Sequence, residues 1–268
     1  KLNIKFVLED TKKFLVERIN IFGNNVTHES VIRNNLALDE GDVYNEILKN
    51  KSVNNLKSLN YFKSVKSEVL DGTLEGNKII NLSIEEKPTG EISASAGVGT
   101  SGNTIGAGIS EANFLGKGIR LIADLSLSAD TIRGKFSVSN PNFLNTEKLI
   151  YTTIESSETD KLSDFGYKTT KSGVLLGTRF EYLDDFKFGI GSSNYYERIE
   201  TDSSASARQK TQEGDYWDSF LRLDFDYDKR NQKFQTSDGF RGYYSLDLPI
   251  ISETNSLKNV YSYKYFTE

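Results

Sequence analysis

The spacing of apolar residues changes once along the chain, near residues 87–90, Lys-Pro-Thr-Gly. Before this point, short apolar runs predict strands at 3–8, 14–22, 61–70 and 77–84. Between the second and third runs, apolar residues recur at helical spacing and predict two helices, with Thr27 and Asp42 suited as their N-caps. From residue 14 the predicted order is β-α-α-β-β. It predicts a compact α+β domain.

After Gly90, apolar and polar residues alternate with a period of two, which is the period of a β-strand. Leu121, Leu125 and Leu127 fall on one face of such a segment, and Asp124 falls on the other. We predict ten strands, at 91–99, 104–112, 118–129, 131–139, 147–157, 170–182, 186–198, 215–228, 239–249 and 257–267. Most are as long as the ~9–11 residues of a tilted membrane strand.

Two kinds of antiparallel β-structure fit this alternation. A soluble β-sandwich or small barrel would have to bury one face, and the first strands offer mainly Gly, Ser and Ala as filling. A later segment carries Leu221, Leu223 and Phe225 on one face and Arg222, Asp224 and Asp226 on the other. A membrane barrel places lipid against the first set and water against the second. The pattern therefore favours a transmembrane barrel.

Composition narrows the possible chemistry. The chain has no cysteine, one histidine (His28) and a net charge of -5, so no thiolate or histidine metal site and no attraction to nucleic acid is expected. No residue set has catalytic spacing, and we expect neither an enzyme nor a cofactor. Asp224, Asp226 and Asp228 could suggest calcium, but a solvated polar strand face is the favoured interpretation. The chain lacks methionine and begins Lys-Leu-Asn, and we expect a fragment or processed product with any targeting segment upstream.

Several segments resemble a known family. Residues 14–24 resemble the opening strand of a POTRA domain, and 39–42 and 59–65 fit the same domain. Residues 113–118, 139–144, 226–231 and 237–242 resemble the inner turns of a barrel. The chain is similar in this to the BamA family of outer-membrane β-barrel assembly proteins.

The resemblance implies several POTRA domains before a barrel of sixteen strands. Residues 1–10 would end one POTRA domain, 11–89 would form the membrane-proximal one, and 90–268 would form about ten strands of an incomplete barrel. The protein would lie in the outer membrane with its POTRA domain in the periplasm. Its partners would be nascent outer-membrane proteins, accessory periplasmic lipoproteins and membrane lipid.

The first barrel strand is the candidate site for client binding: Glu91, Ile92, Ser93, Ala94, Ser95, Ala96, Gly97, Val98 and Gly99. Small residues pack poorly in a strand, and a weakly paired strand at the barrel seam can offer its edge to an incoming strand. A close-packed or bulged strand is the structural alternative.

The POTRA domain offers Arg33 and Glu40 as candidate partner-binding residues. Two other functions remain open. One is a polypeptide-translocating pore of the same superfamily, of the two-partner secretion or autotransporter assembly type. The other is a barrel that anchors a fused enzyme.

Overall fold

The computed structural model describes residues 13–99, 102–252 and 256–267, so the predicted strand at 3–8 and the proposed domain end at 1–10 lie outside the described residues. The chain divides into two compact units between Lys87 and Pro88. The first unit contains, in order, β1 (Leu15–Phe22), α1 (Glu29–Arg33), α2 (Glu46–Ser58), β2 (Phe62–Asp71) and β3 (Asn77–Glu86). This β-α-α-β-β order is the one that the sequence predicts.

The sheet of the first unit has the order β1-β3-β2, with β1 parallel and β2 antiparallel to the central β3. Its core joins apolar residues of the strands to those of the helices, and the most deeply buried are Val16, Ile32, Leu56 and Leu82. Ser52, a gap in the apolar pattern of α2, is also buried and accepts a hydrogen bond from the Ala37 N–H at 2.8 Å.

Both predicted helix caps are wrong. His28 precedes α1, while Thr27 is buried and its N–H donates to Glu86 Oε1 at 2.7 Å. Asn45 caps α2, with its side-chain oxygen accepting from the N–H of Ile47 at 2.8 Å. Asp42 is engaged instead with the Asp39 N–H at 2.9 Å, because the turn at Gly41 delays the start of the helix.

The second unit is a single sheet of ten strands, each antiparallel to its chain neighbours, in the order β13 to β4. The strands are β4 (Gly90–Gly99), β5 (Gly102–Phe114), β6 (Ile119–Ser128), β7 (Thr131–Asn140), β8 (Leu149–Lys161), β9 (Tyr167–Leu183), β10 (Phe186–Thr201), β11 (Gly214–Asp228), β12 (Gly239–Ile251) and β13 (Lys258–Phe266). Short helices α3 (Leu162–Phe165) and α4 (Ala207–Lys210) and a 3-10 turn (Phe143–Asn145) lie in its connections. Each of these ten predicted strands is confirmed, although β8 runs to Lys161 rather than 157, β9 begins at Tyr167 rather than 170 and β10 runs to Thr201 rather than 198.

The pairing register gives the ten-stranded sheet two chemically different faces. We call one of them the apolar face. Examples of its residues, one from each strand from β4 to β13, are Ile92, Ile109, Leu125, Phe136, Ile154, Val174, Ile190, Leu223, Tyr244 and Tyr261. The opposite, polar face carries Ser95, Ser126, Lys171 and Asp224. Among the described residues β4 and β13 are the edges of the sheet, which is not closed.

Candidate functional site

Strand β4 is hydrogen-bonded on one side only within the described part of the chain, where it pairs with β5. Its register runs without a shift from Gly90 opposite Glu111 to Gly99 opposite Gly102. The strand therefore carries no bulge, and the bulged alternative is wrong.

One contact at the base of β4 shows which of its residues direct their backbone N–H and C=O groups towards β5. The Ala112 N–H donates to the Thr89 carbonyl at 3.2 Å, so Thr89 and Ala112 form a hydrogen-bonded pair. Such pairs alternate along antiparallel strands. The residues whose N–H and C=O groups point away from β5 are therefore Ile92, Ala94, Ala96 and Val98. In the part of the chain that the structure describes, these backbone groups have no strand partner, and we call them the free edge of β4.

The same four residues place their side chains on the apolar face. Ile92 is 86% exposed and Val98 is 85% exposed. Between them, Ala94 and Ala96 project little beyond the backbone. A strand approaching this edge would consequently meet backbone groups with few side-chain obstacles.

Ser93 and Ser95 lie on the polar face of β4 and pack over glycines of β5. A Cβ atom at Gly106 would lie 2.6 Å from Ser95 Oγ, and one at Gly108 would lie 2.7 Å from Ser93 Oγ. The small residues thus serve close packing against β5. Strand β4 is therefore closely packed on the side that faces β5 and free at the opposite edge.

The base of β4 is held by Glu111 of β5. Its carboxylate accepts hydrogen bonds from the Thr89 hydroxyl and, at 2.7 Å, from the Asn113 N–H. Asn113 in turn accepts from the Gly118 N–H at 2.7 Å and fixes the turn that follows β5. The position of β4 is therefore set from its base.

The candidate partner-binding residues Arg33 and Glu40 contact each other at 3.5 Å and also contact β1. Glu40 Oε1 accepts from the Ile19 N–H at 3.0 Å, and Arg33 donates to the Ile19 carbonyl at 3.1 Å. The carboxylate of Glu29, at 2.7 Å, raises the pKa of the Arg33 guanidinium. Arg33 and Glu40 thereby satisfy backbone groups on the outer edge of β1, a role that sequence spacing did not indicate.

A cluster of charged side chains on the polar face was also missed by the sequence prediction. Asp224 is 1% exposed; it accepts from Tyr243 at 2.8 Å and from Arg179 at 3.2 Å. Asp226 accepts two hydrogen bonds from Arg241, at 2.9 and 2.6 Å. The prediction of a solvated row of aspartates is wrong at Asp224 and Asp226, because Arg179 of β9, two strands away, and Arg241 of the neighbouring β12 cover them.

No group of three or more His, Cys, Asp or Glu side chains within residues 13–99, 102–252 and 256–267 is arranged to hold a metal ion. In the same ranges, no helix is both long and apolar enough to cross a membrane.

Comparison with known families assigns both units. A model described as POTRA, surface antigen variable number repeat, matches residues 14–87, and one described as the Omp85 superfamily domain matches residues 113–268. Together with the two-faced antiparallel sheet, these matches define an outer-membrane protein with a periplasmic POTRA domain and part of a transmembrane β-barrel. Since the second match covers more than half of the chain, the chain belongs to the Omp85 superfamily.

Curated relatives are similar over part of their length. The outer membrane protein assembly factor BamA of Neisseria meningitidis serogroup B is 32% identical over 197 residues, covering 70% of this chain and 25% of the relative. BamA of Neorickettsia risticii is 24% identical over 202 residues, covering 74% and 27%. The chain thus spans about a quarter of the length of these relatives.

Solved structures share the fold. BamA from Haemophilus ducreyi lacking POTRA domains 1–3 superposes with a TM-score of 0.68 at 20% identity, covering 88% of this chain and 48% of that one. CdiB from Escherichia coli superposes with a TM-score of 0.55 at 15% identity, covering 90% and 46%. At these identities the likeness concerns the fold alone.

Proposed function

We propose that this chain belongs to an assembly factor that folds and inserts nascent β-barrel proteins into the outer membrane, using β4 as a lateral seam. The observation that carries the proposal is the outer edge of β4, where the backbone groups of Ile92, Ala94, Ala96 and Val98 point away from β5 and the small side chains of Ala94 and Ala96 leave them accessible to an approaching strand. The relatives named as outer membrane protein assembly factors support the same role.

The physical basis is the cost of unpaired backbone groups in hydrocarbon. Each such group costs several kcal/mol where water is absent, so an exposed strand edge at membrane depth favours pairing with another strand. A client strand that adds to β4 by β-augmentation satisfies these groups and its own. Only hydrogen bonds are exchanged and no covalent bond changes. The activity needs neither a catalytic residue nor a cofactor.

The partners follow from the two units. Nascent outer-membrane proteins meet the seam at Glu91–Gly99, and lipid contacts the apolar face of the sheet. An accessory periplasmic lipoprotein docks on the POTRA domain near Arg33 and Glu40, whose side chains stay 38% and 44% exposed despite their contacts with β1. Because both side chains also hydrogen-bond to the backbone at the outer edge of β1, any binding measurement on their variants needs the stability of the isolated domain as a control.

Site-specific disulfide crosslinking tests the seam. The native chain has no cysteine, so an introduced thiol is unambiguous. Ser95 occupies a position that is not hydrogen-bonded on the outer side of β4, where a facing Cα would lie ~4.5 Å away. That distance falls within the ~4.4–6.8 Å that a disulfide spans. In the intact protein, S95C should therefore crosslink to a cysteine in a stalled client strand.

Ser126 provides the matched control. It lies on the same row of the polar face as Ser95, beyond Gly106, and is paired on both sides. S126C should give no client crosslink. Crosslinking at Ser126 but not at Ser95 would contradict the seam and support the pore function, in which a polypeptide passes along the polar face.

A further inference from the structure

A recess of about 320 Å³ opens on the polar face and is lined by Arg179, Arg241, Tyr243, Ser262 and Lys264. Arg241 faces Lys264, and Tyr243 faces Ser262, across the β12–β13 pair. Arg179 comes from β9 and reaches this group over Gly189 of β10, which lies between Arg179 and Asp224 in the register. The recess therefore collects side chains from strands that are not adjacent.

The cationic groups of the recess are unequally paired. Arg241 makes two hydrogen bonds to Asp226, and Arg179 contacts Asp224 at 3.2 Å. Lys264 has no carboxylate within 4.0 Å among the described residues. Within the described residues, three cations (Arg179, Arg241, Lys264) against two carboxylates (Asp224, Asp226) leave one positive charge. In addition, Arg179 Nε is buried without a hydrogen-bond acceptor in the described chain.

We propose that this recess binds the carboxylate of an acidic side chain on a polypeptide segment that enters the polar side of the barrel. One uncompensated positive charge matches a carboxylate, whereas a phosphate dianion would leave an excess negative charge among Asp224 and Asp226. Arg179 and Arg241 hold more donors than their two aspartates accept, and the hydroxyl of Ser262 adds another. The recess lies at the lower end of the ~300–1,000 Å³ range of ligand sites, which suits a side chain.

Zero-length crosslinking identifies the carboxylate directly. A carbodiimide adds to one oxygen of a carboxylate and activates it. The Lys264 amine then attacks the carboxyl carbon and forms an amide, and the carbodiimide leaves as a urea that carries the carboxylate oxygen. The reaction is run on the intact protein in outer-membrane vesicles, and the linked peptides are read by mass spectrometry. We expect a link from Lys264 to an Asp or Glu outside the wall of the recess.

Two variants serve as controls. K264Q should lose the link. K258Q should keep it, because Lys258 is on the same strand and face but lies 4.5 Å over the Phe220 ring. A link from Lys264 only to Asp224 or Asp226, a link only to an acid of the barrel strand that pairs with the outer side of β13, equal linkage at Lys258, or no link at all would overturn the proposal. Changing the identified acid to its amide should abolish the link and complete the test.

Discussion

The hydroxyl of Tyr151 on β8 lies 3.4 Å from the carboxylate of Asp224 on β11, so the two residues meet across β9 and β10. Neighbouring strands are ~4.8 Å apart, so β8 and β11 are separated by three such spacings, and the two side chains meet only if Tyr151 lies along the sheet. Gly177 and Gly191 provide the space: a Cβ atom at either position would lie 2.6 or 3.0 Å from the Tyr151 hydroxyl. The absence of side chains at these two glycines thus lets Tyr151 pack directly against the backbone of β9 and β10.

Replacing Gly177 by alanine should destabilise the barrel by about 1–3 kcal/mol, since the added methyl group overpacks the contact with Tyr151. The control is G134A, because a Cβ atom at Gly134 has nothing within 4 Å. Urea unfolding of the detergent-solubilised protein, followed by the mobility of folded and unfolded forms on a cold gel, measures both. Equal midpoints for the two variants would mean that Tyr151 is not held against Gly177.

Asp224 should be the most costly carboxylate to remove from the polar face. D224A leaves Arg179 without its closest partner in a buried site, and breaking such a pair costs ~3–5 kcal/mol. D215A is the comparison: Asp215 bonds Arg198 at 2.7 Å, but both side chains are about half exposed, and such pairs contribute ~0–1 kcal/mol. The same unfolding assay should separate the two variants clearly. A loss in D224A no larger than in D215A would show that Asp224 is solvated after all.

Glu40 should matter for the stability of the POTRA domain. E40A leaves the Ile19 N–H without its side-chain acceptor, at a cost of ~1–3 kcal/mol. For a domain of this size, each kcal/mol lowers Tm by ~4–8 °C. D39A is the control, because Asp39 is in the same exposed turn and its carboxylate makes no hydrogen bond or ion pair in the described structure. Thermal unfolding of residues 11–89 expressed alone would measure both; an unchanged Tm in E40A would leave partner binding as the only role of Glu40.

The POTRA domain should lose stability in acid through Glu86. Burial opposes ionisation of this carboxyl, but hydrogen bonds from Thr27, Val26 and Asn25 outweigh it and lower its pKa below the usual 4.5. A lowered folded-state pKa means that the contribution is complete above the unfolded-state pKa and is lost as pH falls through the folded-state value. Chemical unfolding at a series of pH values from 6 downward, with E86Q as the control, measures the contribution of the ionised Glu86 to the free energy of unfolding. The wild type should lose stability below about pH 4.5 more steeply than E86Q; parallel curves would contradict the assignment.

Local patterns predicted the strands of both units, because a period of two fixes which residues share a face. The same patterns did not predict that Asp224 is buried. Its partners Arg179 and Tyr243 lie 45 and 19 residues away in sequence, and only the pairing register brings them together. Similarly, the sequence offered Glu40 only as a candidate partner-binding residue, and its contact with Ile19 depends on how the turn folds back onto β1.

The ends of β8, β9 and β10 were also underestimated. Their polar outer segments lack an apolar face, so alternation is weak there, yet they pair as far as Lys161 opposite Tyr167 and Thr201 opposite Tyr167. Backbone pairing, rather than burial, extends these strands. The free edge of β4 could be suspected from its small residues, but the identity of the outward-facing groups required the contact between Ala112 and Thr89.

The most direct test of the seam is to close it covalently in the intact protein and measure client insertion into liposomes. A cysteine at Ser93 or Ser95, paired with one in the facing strand of the closed barrel, forms the lock, and a reductant reopens it. We predict that the locked protein stays folded, inserts no client, and regains the wild-type rate on reduction. Client insertion at the wild-type rate by the locked protein would contradict lateral opening at β4.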